Sequence, residues 1–97
     1  SGPGNHFYYL LAEGAVSPAG FSYTPSQLVC NGDTGVAGIG RAAAQQIYYR
    51  ALTVYFTSTE TYPKARTDTL QAAADLYGSG SAQYNAVARA WSAVGVN

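Results

Sequence analysis

Apolar residues recur every three or four positions in four stretches of this chain, the spacing of a buried helix face. The first stretch holds Phe7, Leu10, Leu11 and one face of Tyr8. Ser1 can cap it, Pro3 suits its first turn because its missing N–H would be unpaired there, and Gly14 is a stop. The second runs from residue 38 or 40 to 56 through Ile39, Ala43, Ile47, Ala51 and Val54 or Tyr55. Its polar stripe is thin (Arg41, Gln45, Arg50 and Thr53), so the pattern predicts a central helix. Glycines and alanines near its start let another backbone approach closely. Residues 57–61 are a polar break. Thr61 caps the third helix, Pro63 lies in its first turn, and Ala65, Leu70, Ala73, Ala74, Leu76 and Tyr77 lead to a stop at Gly78. Ser81 caps the fourth, whose apolar positions are Tyr84, Val87, Trp91 and Val94, and Gly95 ends it. The short Ser79-Gly80 connector makes helices three and four antiparallel neighbours. Trp91 is the expected core anchor, facing helices two and three beside Val87 and Val94.

Residues 15–37 break the helical period. Ser17-Pro18, Thr24-Pro25 and Asn31-Gly32 are turn signals, and Phe21 and Tyr23 alternate with Ser22 as in a short strand or hairpin. A loop this long is unusual in a small domain. Phe21, Leu28 and Cys30 are the residues expected to pin it. The predicted fold is all-α: one domain over residues 1–97, a bundle of four helices with one long irregular loop, or short hairpin, between helices 1 and 2.

Composition narrows the function. Charged residues make up 10% of the chain, and five acidic residues balance five basic ones, which leaves no electrostatic footprint for nucleic acid or an anionic membrane surface. The apolar runs are too short to span a bilayer. No signal peptide is read, so these residues say nothing direct about export. A surface of Ser, Thr, Gln, Asn and nine tyrosines is common in extracellular enzymes. Cys30, the one cysteine, reads either as a buried free thiol or as half of a disulfide with a partner outside these residues.

Candidate chemistry is sparse. A catalytic zinc needs three protein ligands and an open position. Glu13, Asp33, Glu60, Asp68 and Asp75 have no His at helical spacing, and His6 reads as a rim residue rather than a ligand. Asn31-Gly32-Asp33-Thr34 holds too few oxygens for a calcium loop. There is no Gly-x-Ser-x-Gly. Gly38-Ile39-Gly40 lacks the third glycine and the preceding strand of a dinucleotide fingerprint. Tyr8-Tyr9 and Tyr48-Tyr49 suggest either a carbohydrate or peptide platform, or rings in the core with hydroxyls at the rim. Arg50 and Arg66 are expected to pair with Asp75 or Asp68, or to cap carbonyls. The residues therefore offer no catalytic, metal-binding or cofactor-binding site.

Longer motifs carry a resemblance. Asn5 with Tyr9-Leu10-Leu11-Ala12-Glu13-Gly14, Gly38-Ile39-Gly40-Arg41 with Ile47-Tyr48-Tyr49-Arg50-Ala51-Leu52-Thr53-Val54-Tyr55, Arg66 with Ala72-Ala73-Ala74-Asp75-Leu76-Tyr77-Gly78, and Ala90-Trp91-Ser92-Ala93-Val94-Gly95-Val96-Asn97 follow in order. Together they resemble the C-terminal helical domain of thermolysin-like (peptidase family M4) secreted zinc metalloendopeptidases. Residues 15–37 with Cys30 look more like the actinobacterial members.

The resemblance implies a scaffold role. The family's zinc ligands, general-base glutamate and calcium ligands lie upstream, and a transition-state-stabilising histidine sits just before the Ser1-Gly2 position. The chain alone is then expected to be inert, with zinc, and calcium as well, confined to the parent enzyme. Its partners would be the N-terminal zinc-binding half and the parent's peptide or protein substrate, with no nucleic acid and no membrane, in a secreted, extracellular protein. The alternative is a free-standing, non-enzymatic helical interaction module. Separation from the other half is expected to expose Phe7, Tyr8, Leu11 and Ile39 and to favour a weak homodimer through that face.

Overall fold

A computed structural model describes residues 2–97. The expected Ser1 cap lies outside the described residues. Four helices form: α1 (Gly2–Glu13), α2 (Arg41–Arg50), α3 (Tyr62–Tyr77) and α4 (Ala82–Ala93). Helix α2 continues into a π turn over Ala51–Tyr55, and a 3-10 turn over Pro25–Gln27 lies in the long loop. The fold is all-α, and no strand occurs among the described residues.

Local chemistry accounts for most helix ends. Thr61 and Ser81 accept the N–H groups of Lys64 and Tyr84 at 3.3 and 3.1 Å, satisfying donors that a helix start leaves unpaired. At the end of α4, Gly95 takes φ 85°. Val96 N–H then reaches the Trp91 carbonyl at 2.9 Å and Gly95 N–H reaches Ser92 at 3.0 Å, the paired bonds of a Schellman ending. Arg66 reaches Ser92, Thr69 reaches Trp91, and Ala74 and Tyr84 line one groove. Residue numbers rise along α3 as they fall along α4, so the two run antiparallel.

The core gathers Phe7, Leu10, Leu11, Ile47, Val87 and Trp91 with small residues between them. Trp91 is the anchor, but it faces α1 and α3 rather than helices two and three. Its ring stacks on Phe7 with centroids 3.9 Å apart, and its Nε1–H donates to Thr69 Oγ1 at 2.9 Å. Val94 is only half-buried.

Helix α2 is not central. Ala44, Ile47 and Ala51 are buried, whereas Tyr49, Leu52 and Val54 are 68%, 50% and 52% exposed. The π turn is the cause at its end. Phe56 N–H bonds the Ala51 carbonyl, five residues back, at 2.8 Å, and this wider turn carries Val54 off the inward stripe.

The loop is closed at its base, not by its aromatic residues. Gly14 and Ala37 form an isolated antiparallel bridge, and Ala15 N–H meets the Val36 carbonyl at 2.9 Å. Val36 and Ala15 are the buried plugs. Phe21 is 60% exposed and stacks on Tyr23, so the hairpin does not form there. The Cys30 side chain is exposed, against the reading of a buried thiol. Its backbone N–H nevertheless ties the loop to the Ala93 carbonyl at 2.6 Å. Leu28 is half-buried, and its carbonyl faces the His6 ring.

Phe7 and Leu11 are buried within their own chain, and Tyr8 and Ile39 are half-buried. The expected apolar face is therefore misplaced, and the homodimer argued from it loses its basis. The domain fills its own core there with Trp91 and α4.

Candidate functional site

Ion pairs hold all five carboxylates of the chain. Glu13 bonds Arg41 at 2.7 Å, linking the end of α1 to the start of α2. Asp33 takes a two-pronged contact from Arg89, which staples the loop to α4. Those bonds, with a further one from the Gly35 N–H, hold the Asp33 carboxyl below its usual pKa. Lys64 lies between Glu60 at 3.1 Å and Asp68 at 2.6 Å, and those bonds, the Asp68 one foremost, raise its pKa. The expected Arg50–Asp75 pair forms at 2.9 Å. Arg66 caps carbonyls instead, donating to Ala88 and Val96 at 2.9 and 3.0 Å.

Asp75 is the most perturbed of these groups. The Tyr55 hydroxyl first, then Arg50 and Gln71, hold its pKa at about 2, below the ordinary 3.8. Its carboxylate is favoured by folding, so this stabilisation is present above pH 3.8 and is lost as the pH falls through about 2. Asp75→Asn should therefore lower the melting temperature at neutral pH and flatten its fall between those two values. Acid melts of the two proteins, run in parallel, check this. An unchanged acid limb in the variant would show that another group controls it.

His6 and Cys30 do not converge with the carboxylates. The His6 ring nitrogen is engaged with the Leu28 carbonyl. No group of three or more His, Cys, Asp or Glu side chains placed to hold a metal occurs among the described residues. Gly38 and Gly40 serve backbone packing: Ile39 N–H and Gly40 N–H bond the Leu11 and Ala12 carbonyls at 2.8 and 3.0 Å.

The tyrosines contribute to two clefts that flank the first turn of α1 and share Gly4, Asn5 and Tyr48. One, of about 380 Å³, has Tyr8, Tyr49 and Leu52 on its walls. The other, of about 500 Å³, adds Phe56, Glu60, Tyr62 and Trp91. Tyr48 bridges them, with edge contacts to Tyr8 and Phe56 at 5.7 and 5.8 Å between centroids. Sequence reading picked out the tyrosines but not the Glu60–Lys64–Asp68 ladder, although its i,i+4 spacing is a sequence signal.

Comparison with known proteins explains a domain whose polar groups serve its own architecture. The family described as "Thermolysin metallopeptidase, alpha-helical domain" matches residues 1–96. The chain belongs to the thermolysin metallopeptidase family. It is 46% identical to bacillolysin of Bacillus cereus over 88 residues, covering 87% of this chain and 16% of that protein. It is 40% identical to the transglutaminase-activating metalloprotease of Streptomyces mobaraensis over 96 residues, 99% of this chain and 12% of that protein. An extracellular elastase of Staphylococcus epidermidis is 51% identical over 61 residues, 63% of this chain and 12% of that protein. The chain thus spans less than a fifth of these curated relatives. The thermolysin family assignment disfavours the free-standing module. No helix among the described residues is long and apolar enough to cross a membrane.

Proposed function

We propose that this chain is the C-terminal scaffold of a secreted zinc metalloendopeptidase, forming one wall of the substrate cleft and doing no chemistry itself. The supporting observation is that a chain matching the family's helical domain over residues 1–96 has all five of its carboxylates held by its own cations. A general base or metal ligand must be free to meet its target, and each of these carboxylates already carries an ion pair within the domain.

Zinc does not fit the described residues, because no three His, Cys, Asp or Glu side chains among them are placed to hold a metal and the His6 ring is engaged by the Leu28 carbonyl. The zinc ligands, and any calcium ligands, would belong to the N-terminal half. That half is the proposed partner, together with a peptide or protein substrate in the assembled enzyme. Nucleic acid and membranes are not proposed partners of this neutral domain. The cleft walled by Tyr8, Tyr49 and Leu52 is the surface proposed to meet the other half.

What the domain supplies is rigidity. A catalytic group works only when its support holds it within a fraction of an ångström. The Phe7–Trp91 stack fixes α1 against α4, and the Ile39 and Gly40 backbone bonds fix the entry of α2 against the end of α1. Export of the parent agrees with a relative whose name places it outside the cell.

The 97-residue chain produced alone should not cleave casein, with or without added zinc. Co-expression with the N-terminal half should give cleavage that a chelator blocks. Chelator-sensitive hydrolysis by the chain alone, abolished by His6→Ala, would overturn the scaffold reading. Full activity of the N-terminal half by itself would overturn it too.

A further inference from the structure

The cleft between the first turn of α1 and the α2–α3 connector has walls and a charge that the scaffold reading leaves unused. At about 500 Å³ it falls within the range of small-ligand sites. Tyr48, Phe56, Tyr62 and Trp91 line it, and Glu60 and Asn5 give it polar groups.

Glu60 belongs to a charge cluster that does not balance. Lys64 Nζ lies 3.1 Å from Glu60 Oε1 and 2.6 Å from Asp68 Oδ2. One ammonium between two carboxylates leaves one negative charge in excess. Lys64 is nearer Asp68, and it also donates to the Tyr55 carbonyl at 3.1 Å. Glu60 Oε1 accepts the Thr57 N–H as well. Glu60 Oε2 is shut off from solvent and has no hydrogen-bond partner. A buried carboxylate oxygen without a donor is costly. The last torsion of a glutamate is broad, so a modest turn of the carboxylate brings the unpartnered oxygen toward the cleft.

Aromatic walls beside an under-compensated carboxylate suit an amphipathic cation. Ring faces attract positive charge, and an ionised carboxylate binds charged donors most strongly. Long basic side chains lay their apolar stems on such walls while the head finds its partner. A guanidinium suits the site better than an ammonium, because it stacks flat on rings and donates through a planar fork. We propose that this cleft binds an arginine side chain presented by a partner polypeptide, with its guanidinium on Glu60 and its stem against Tyr48 and Phe56. The assignment is independent of the protease reading, since it requires neither metal nor hydrolysis.

The probe is N-acetyl-arginine methylamide, titrated into the 97-residue chain. Trp91 is the one tryptophan and lines the cleft, so its fluorescence reports occupancy. A saturable change is expected with this probe and none with its citrulline counterpart, which has nearly the same shape but no charge. Glu60→Gln should weaken binding about tenfold, as expected for a lost charge-assisted pair. Tyr62→Leu keeps Glu60 in place and should weaken binding by removing a ring face. Circular dichroism melts establish that both variants are folded. No saturable change, equal binding of the citrulline probe, or unaltered affinity in both variants overturns the proposal. Methylguanidinium binding as tightly as the arginine probe overturns the polypeptide source, since stem and backbone would then add nothing.

Discussion

Trp91→Ala should destabilise the domain by about 3–5 kcal/mol, the usual cost of truncating a buried aromatic. Small domains have only about 5–15 kcal/mol in total, so the variant should be largely unfolded well below the parent's melting temperature. The magnitude follows from position. Trp91 is 2% exposed. It stacks on Phe7 from α1, lies at a tilt to Tyr62 at 6.3 Å, and bonds Thr69 from α3. Alanine would open a cavity where three helices meet, and packed interiors close such voids only in part. Thr69→Val tests the polar half separately. It keeps the volume but leaves the indole N–H unpaired, a penalty of about 1–3 kcal/mol. Urea melts of the two variants rank these terms. A Trp91→Ala midpoint close to the parent's would show that the core does not rest on this residue.

What could be read from the sequence was mostly local. Caps at Thr61 and Ser81 and stops at Gly14, Gly78 and Gly95 depend on a few neighbouring residues, and short-range chemistry dictates them. Trp91 was legible as a core residue, but its partner was not. Helical spacing names the buried face of a helix without saying which other helix covers it. The π turn escaped notice because apolar spacing is the same whether a helix closes at four residues or five until the last turn is built. Phe21 and Val36 show a similar limit. Both are apolar residues of one loop, yet only Val36 is buried, because the loop closes where Gly14 meets Ala37. The cleft was least legible of all. Its residues come from α1, α2, α3, α4 and a connector, and no local pattern announces their meeting.

One close approach was foreseeable, and it carries the second large prediction. Glycines before α2 permit another backbone to come near, and at Gly38 one does. A Cβ there would overlap the Ala12 carbonyl oxygen, and it would stand 2.7 Å from that carbonyl carbon and 2.5 Å from the Glu13 carbonyl carbon. These are backbone atoms, which cannot rotate aside as a side-chain tip can. Gly38→Ala must therefore push the α2 entry away from the end of α1. It should strain the Ile39 and Gly40 N–H bonds to Leu11 and Ala12 and loosen the Ala15–Val36 closure. Overpacking of this kind costs about 1–3 kcal/mol, and each backbone bond given up adds about 1 kcal/mol. Gly40→Ala is the comparison. Gly40 has φ 90° and ψ 155°, a region nearly confined to glycine, but open space around its α-carbon, so only conformational strain of about 1–3 kcal/mol is expected. Hydrogen exchange distinguishes the two. In Gly38→Ala the Ile39 and Gly40 amides should lose protection together, and the long loop with them, while the α3–α4 pair stays protected. In Gly40→Ala the Ile39 amide should keep most of its protection. If Gly38→Ala melts with the parent and its Ile39 amide remains slow to exchange, the two backbones do not approach as closely as described.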